Sequence, residues 1–341
     1  MWHETGLRTL VTCLARSPNW DTFAVGYADG SIRLWSAATK AVLVTFNGHK
    51  SAISALAFDA AGTTLASGSK DTDIIVWDVI GEVGMFRLRG HRDQITGLAF
   101  IAATPAEGAD ELAEGATRAP THVLSSSKDT FLKLFSLSTQ HCVETVVGHR
   151  GEAWSFAYDA ASGVLVSGGG EGEVKCWKVD QEVLTKGVLA GPDGKLRRAI
   201  VPIAALSLPS TSHTHNITQV TLHPTLPVLA IHSGEKTIDV FRLRSEEELR
   251  KKLARRRRRE REKKKQGAKG KGKAVDDDED GDDEEIGVGG EAEIEWRDRL
   301  AIWSVIRCSA KVRSFSFAPE TAKTKGDVQV RSLSTFDTNP C

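Results

Sequence analysis

Apolar residues in this chain come in short runs rather than long stripes. Segments such as Asp71-Thr-Asp-Ile-Ile-Val-Trp77 open on turn-forming polar residues, continue through β-branched ones and close on an aromatic. That is a strand pattern, not a helical one. The closing aromatics are Trp35, Trp77, Phe135, Trp177 and Phe241, and their surroundings keep phase. Six positions before them stand Asp29, Asp71, Asp129, Glu171 and Glu235; ten before them stand Val25, Ser67, Ser125, Ser167 and Ile231. His49 and His149, each preceded by glycine, lie 28 residues before Trp77 and Trp177. His91, of Gly90-His91, lies 44 before Phe135, which is 28 plus a 16-residue insertion within the Ala-, Gly- and acid-rich stretch 102–120. The same count reaches Leu7 from Trp35, where the histidine is lost, and His213 from Phe241, where the glycine is lost. Each repeat predicts several short antiparallel strands joined by turns. One such unit cannot bury both its faces, so radial stacking into a propeller is the expected all-β fold.

The period changes after Phe241-Arg-Leu-Arg244. Ser245 and Glu248 form a capping box, and the run from Glu246 to Gln266 has neither Gly nor Pro until Gly267. This predicts a helix about 31 Å long at 1.5 Å per residue. Only Leu249 and Leu253 are apolar on it, so one end at most can dock. The remainder carries Arg255, Arg256, Arg257, Arg258, Arg259, Arg261, Lys263, Lys264 and Lys265, followed by a Gly/Lys linker and the acidic run 276–285, both reading as disordered. A solvated charge run is the ordinary reading. The sharper one makes these nine residues a nuclear-targeting or RNA-phosphate-contacting segment, with the acidic run placed to screen it when RNA is absent.

Composition then narrows the class. The 45 Lys/Arg and 45 Asp/Glu cancel, yet 15 and 14 of them lie between positions 245 and 285, leaving a neutral globular part. Five scattered cysteines without Cys-x-x-Cys spacing argue against a zinc module or disulfide scaffold and favour a reducing compartment. The longest uncharged stretch, 199–234, is broken by four prolines, so no membrane span and a soluble protein are expected.

These features resemble the WD-repeat family, whose units begin Gly-His and end Trp-Asp. Trp77-Asp78 keeps the full ending; Trp35-Ser36, Phe135-Ser136, Trp177-Lys178 and Phe241-Arg242 keep the aromatic alone. The resemblance covers about residues 6–243 and returns from about 299. His49, Ser67 and Asp71 are the residue types of a nucleophilic triad. They recur as His91, Ser125 and Asp129, and duplicate active sites in neighbouring repeats are not how enzymes are built. The resemblance implies instead a buried structural relay of His49, Ser67, Asp71 and Trp77, of His91, Ser125 and Asp129, and of His149, Ser167 and Trp177. With Phe135 lacking an indole N–H and Glu171 replacing aspartate, the third and fourth relays are expected to be incomplete and their blades less rigid. Gly191-Pro-Asp-Gly-Lys195 lacks the spacing of a phosphate loop, and Gly168-Gly-Gly-Glu-Gly172 reads as a tight turn. His213, His215 and His223 are assigned to the repeat and a turn rather than a metal, and Asn216-Ile-Thr218 is a glycosylation pattern without a secretory signal. No cofactor, metal or catalytic residue is expected.

A closer resemblance rests on Val25-Gly-Tyr-Ala-Asp-Gly-Ser-Ile-Arg33, Phe46-Asn-Gly-His-Lys50, Leu65-Ala-Ser-Gly-Ser-Lys-Asp-Thr-Asp-Ile-Ile-Val-Trp-Asp-Val79, Thr139-Gln-His-Cys142, Val147-Gly-His-Arg150 and Ser309-Ala-Lys-Val-Arg-Ser-Phe315. They are similar to the tandem-propeller WD-repeat subunit of the small-subunit processome, associated with the U3 small nucleolar ribonucleoprotein and its UTP-B subcomplex. The resemblance implies a non-catalytic nucleolar scaffold for 18S rRNA maturation. Its implied partners are other WD-repeat processome proteins, U3 snoRNA and pre-rRNA, with no membrane or small-molecule substrate. Family members carry two propellers and a helical region, so this chain reads as a fragment. The expected organisation is 1–244 propeller blades, 245–290 the charged insert, and 291–341 returning strands of a truncated blade. Five blades and a partial sixth starting near Arg299 would form an open arc, poorly soluble alone. The competing reading is a ubiquitin-ligase substrate receptor or chromatin-peptide reader, which would want an adaptor-binding motif or F-box; none is found.

Overall fold

The computed structural model describes residues 9–19, 21–103, 118–160, 162–187, 196–206, 208, 215–223, 226–234, 236–244, 300–318 and 329–334, and positions 247–248, 250–252, 254–255 and 258–259. Leu249, Leu253, Arg256, Arg257, Arg261, Lys263, Lys264, Lys265, His213 and the acidic run lie outside them. The described residues form five four-stranded antiparallel sheets and one two-stranded sheet, each in sequence order. Blade one is β1 (Val11–Arg16), β2 (Thr22–Tyr27), β3 (Ile32–Ser36) and β4 (Val42–Phe46). Blade two is β5 (Ile53–Phe58), β6 (Thr64–Ser69), β7 (Ile74–Asp78) and β8 (Val83–Leu88). Blade three is β9 (Ile95–Ile101), β10 (His122–Ser127), β11 (Phe131–Ser136) and β12 (Cys142–Val147); blade four is β13 (Ala153–Asp159), β14 (Val164–Gly169), β15 (Val174–Val179) and β16 (Ile200–Leu206). Blade five is β17 (Gln219–Leu222), β18 (Val228–His232), β19 (Thr237–Leu243) and β20 (Leu300–Arg307), and β21 (Val312–Phe317) with β22 (Val330–Ser334) forms the sixth sheet.

The closing aromatic ends the third strand of its blade, not the fourth. Sequence repeats are therefore offset by one strand from the blades in space. This corrects the expectation that a sixth unit begins near Arg299: Leu300–Arg307 pairs with β19 and completes blade five. At every aromatic the third and fourth strands slip register, between Leu34/Trp35, Val76/Trp77, Leu134/Phe135, Cys176/Trp177 and Val240/Phe241. Such bulges bend the strand and re-aim a side chain.

Apolar burial lies between blades. Ile32, Leu34 and Phe46 pack on Ile53, Leu65 and Trp77; Ile74, Val76 and Leu88 pack on Ile95, Val123 and Phe135. Comparable clusters join blades three to four, four to five and five to six. Nine residues before each aromatic, on the second strand, sits the residue that fits this joint. A Cβ on Gly26 would come within 2.7 Å of Ile53, and one on Gly68 within 2.5 Å of Ile95; Gly168 faces Ile217 in the same way. In blade three the position holds Ser126 and the first residue of the next blade shrinks to Ala153, the two bridged by the Thr96 hydroxyl. In blade five it holds His232, fully buried, whose ring nitrogens lie 2.9 Å from Thr237 O and 3.0 Å from Val312 O of the next blade.

Strand direction divides the connections between two faces. The turns between second and third strands, and the Gly-His loops between blades, share one face. The opposite face carries the first-to-second and third-to-fourth connections, and with them the three longest: 102–121 between β9 and β10, 180–199 between β15 and β16, and 244–299 between β19 and β20. In the second of these, Asp180 caps the short helix α1 (Gln181–Lys186).

Candidate functional site

In blade two the Gly-His loop meets the turn between β6 and β7. Trp77 Nε1 donates to Ser67 Oγ at 2.8 Å, Ser67 Oγ lies 2.8 Å from His49 Nε2, and His49 Nδ1 lies 3.1 Å from Asp71 Oδ2. An indole N–H can only donate and a carboxylate can only accept. The chain therefore runs one way: Trp77 to Ser67, Ser67 to His49, and His49 to Asp71. Burial pushes the His49 imidazole below its usual 6.5, against the pull of Asp71. Burial alone would raise the Asp71 carboxyl, but the Lys50 and Asp73 amides and His49 hold it below its usual 3.8. The Lys50 amide donates to Asp71 at 2.7 Å, so one carboxylate ties the histidine and the inter-blade loop together.

Blade three repeats this with His91 2.8 Å from both Asp129 and Ser125, and with the Arg92 amide on Asp129 at 2.9 Å. Phe135 supplies no donor, so this relay stops at Ser125, as its sequence predicts. Blade four differs from expectation. His149 Nε2 lies 2.9 Å from Ser167 Oγ, which accepts from Trp177 Nε1 at 2.8 Å, but the carboxylate at His149 Nδ1 is Glu173, at 3.1 Å. Glu171 is exposed instead. In blades two and three the residue after the aspartate takes the left-handed conformation, Thr72 and Thr130. In blade four Glu171 itself takes it (φ 57), which turns its side chain outward, and the longer Glu173 reaches the histidine from the position just before β15. The fourth relay is thus complete. Burial opposes ionisation of Glu173, but Lys175, the Arg150 amide and His149 hold its carboxyl below the usual 4.5. The signal for Glu173 was the Gly170-Glu-Gly172 setting, which frees the turn from needing residue 171 inward.

Chemically the set differs from an active site in access. Ser67, Ser125 and Ser167 are fully buried, so no substrate carbonyl can reach their oxygens. Among the described residues no group of three or more His, Cys, Asp or Glu is arranged to hold a metal. His223 accepts from the Leu226 amide and packs edge-on against Phe317. Among the described residues no helix is long and apolar enough to cross a membrane.

Beyond β19 the described positions 247–259 are helical, and Arg255, Arg258 and Arg259 are exposed there. Arg242 Nη2 holds the Glu248 carboxylate at 2.8 and 3.0 Å, tying the helix start to β19.

The model of the WDR3 first beta-propeller domain matches residues 1–179. The chain belongs to that family. The WDR3-type assignment agrees with the Gly-His and Trp-Asp motifs and with the four-stranded blades. A relative, U3 small nucleolar RNA-associated protein 12 of the yeast Saccharomyces cerevisiae, is 38% identical over 251 residues. That match covers 72% of this chain, which spans about a quarter of the relative (23%).

Proposed function

We propose that this chain is a non-catalytic scaffold of the nucleolar small-subunit processome, supporting U3-dependent pre-rRNA processing and 18S rRNA maturation. The observation that carries the reading is its 38% identity to a protein named for association with U3 small nucleolar RNA. The buried serines favour a structural relay over turnover, because a hydroxyl that already bonds a histidine and an indole has no room for substrate. The partners are other WD-repeat processome proteins, U3 snoRNA and pre-rRNA. Residues 1–244 and the strands after 290 serve as the blade framework, and 245–290 as a separate charged insert. Arg255, Arg256, Arg257, Arg258, Arg259, Arg261, Lys263, Lys264 and Lys265 supply nuclear targeting and sequence-tolerant phosphate contact.

The test is affinity purification of the chain from nuclear extract with sequencing of the bound RNA. Enrichment of U3 and pre-ribosomal RNA is expected. Enrichment of ubiquitin-ligase adaptors or histone peptides with no U3 would replace the reading by the receptor or reader alternative.

A further inference from the structure

The face that carries the relays also carries cations in a regular place. The residue after each relay histidine is Lys50, Arg92 or Arg150, and its amide donates to the relay carboxylate at 2.7, 2.9 and 3.2 Å. The relay thereby fixes the backbone from which each cationic side chain projects. Lys70, in the turn between β6 and β7, is held beside them by its amide bond to Ala52 O. All four side chains are exposed, and none makes an ion pair among the described residues.

The carboxylates nearby are differently placed. Those of Asp71 and Asp129 are almost wholly buried against their histidines. Asp73 is engaged by Arg87 and Arg89, Glu173 by Lys175, and Glu152 by Lys128. Among the described residues, Asp29, Asp93 and Glu171 are the carboxylates that stand exposed on this rim without a cation. The surface is continuous across blades: Gly30 of blade one abuts His49 O and Ser51 O of blade two, and Lys128 of blade three lies 4.0 Å over the Trp154 ring of blade four. The three longest connections leave the molecule by the other face, and from blade one to blade four this rim is built of short loops. The charged insert also starts and ends on that other face, at Leu243 and Leu300.

From this juxtaposition we infer that Lys50, Lys70, Arg92 and Arg150 form a second polyanion-binding surface, which takes the sugar-phosphate backbone of single-stranded RNA on the face opposite the insert. The inference rests on the RNA association proposed above. RNA is favoured over an acidic peptide because it presents one charge per nucleotide regardless of sequence. Lys50, Arg92 and Arg150, one at the entry of each of blades two to four, with Lys70 beside the first, suit such a uniform ligand. Lys128 occupies one face of the Trp154 ring, and the four exposed cations assign recognition to phosphate rather than to base stacking.

The experiment measures binding of a labelled oligouridylate to the full chain across a salt series. Two variants and their combination are compared: one with Lys50→Glu, Lys70→Glu, Arg92→Glu and Arg150→Glu, and one with Arg255–Arg259 changed to Gln. The relay-face variant is expected to bind about tenfold or more weakly, and its dependence of log K on log salt to flatten by about 2–3, at about 0.7 per single-strand phosphate. The loss should be equal in the insert-neutralised background. Glutamine at the same four positions serves if the glutamates alter the melting curve. Unchanged affinity and slope would overturn the inference. Loss of polyglutamate binding with oligouridylate retained would overturn it in favour of an acidic protein partner. Recovery of U3 by the unaltered chain is scored separately: its failure sinks the assembly reading, while its persistence in the relay-face variant with oligouridylate binding unchanged sinks the inference alone.

Discussion

Removing the Ser67 hydroxyl strands two buried groups at once, the Trp77 N–H and the acceptor nitrogen of His49. At about 1–3 kcal/mol per unsatisfied group, Ser67→Ala should cost about 2–4 kcal/mol in urea unfolding. Ser125→Ala should cost less, about 1–2 kcal/mol, because Phe135 brings no donor to lose. Equal costs would mean that the indole contributes nothing to the relay. Asp71→Ala should destabilise by about 1–3 kcal/mol through the freed Lys50 amide and His49 ring. Acid should act on the same groups. His49 and His149 are held below 6.5 by burial, so between that value and their folded values the unfolded chain binds more protons than the folded one. Stability is therefore full above pH 6.5 and declines as pH falls below it. It declines further below about 4 as the depressed Asp71, Asp129 and Glu173 carboxyls protonate. Denaturation midpoints measured from pH 8 to pH 2 should show this fall, and replacing both histidines by glutamine should flatten its upper part. The relay residues were legible because their phase repeats. Glu173 was not, because phase counts positions while reach depends on side-chain length and on which turn residue takes the left-handed conformation.

Between elements, the joint from second strand to next blade offers a sharper test. Blade three already contains the pair Ser126 and Ala153 where blade two has Gly68 and Ile95. Gly68→Ser alone forces a Cβ into the Ile95 side chain and should destabilise by about 1–3 kcal/mol, as overpacking does. Adding Ile95→Ala should recover part of that loss, giving a coupling of about 1 kcal/mol in a double-mutant cycle. Strict additivity would show that the two positions do not share the joint. A small residue nine before each aromatic is visible in the sequence as Gly26, Gly68, Ser126 and Gly168, yet its meaning is not. The partner belongs to the following repeat, and only the stacking of blades shows that the two volumes trade. His232 breaks the run for the same reason, filling the joint with an imidazole that reaches Val312 O.

At the scale of the molecule, five interblade clusters in sequence order make the chain a line of nearest-neighbour contacts. Repeat number and strand content were readable from phase alone. The boundary of the fifth blade was not, since a period ending on the aromatic hides the fourth strand behind whatever the next connection holds. Here that connection is the whole charged insert. Because Leu243 pairs directly with Leu300, replacing 245–298 with a short turn should leave the blades folded. The check is an unchanged strand signature and melting temperature, and loss of the cooperative transition would show that the insert is part of the blade.

The same pairing has a consequence for how the protein is made. Fifty-six residues separate Leu243 from its partner Leu300, and at about 5–20 residues per second of synthesis the wait is roughly 3–11 s. Closing so long a loop also costs about 2 kcal/mol more in chain entropy than closing a four-residue turn. On the ribosome, β19 is thus left as an open apolar edge while the basic and acidic runs are still emerging. Blade five is the last of the five to be sealed, and its unpaired strand is the nascent chain's window for chaperone capture.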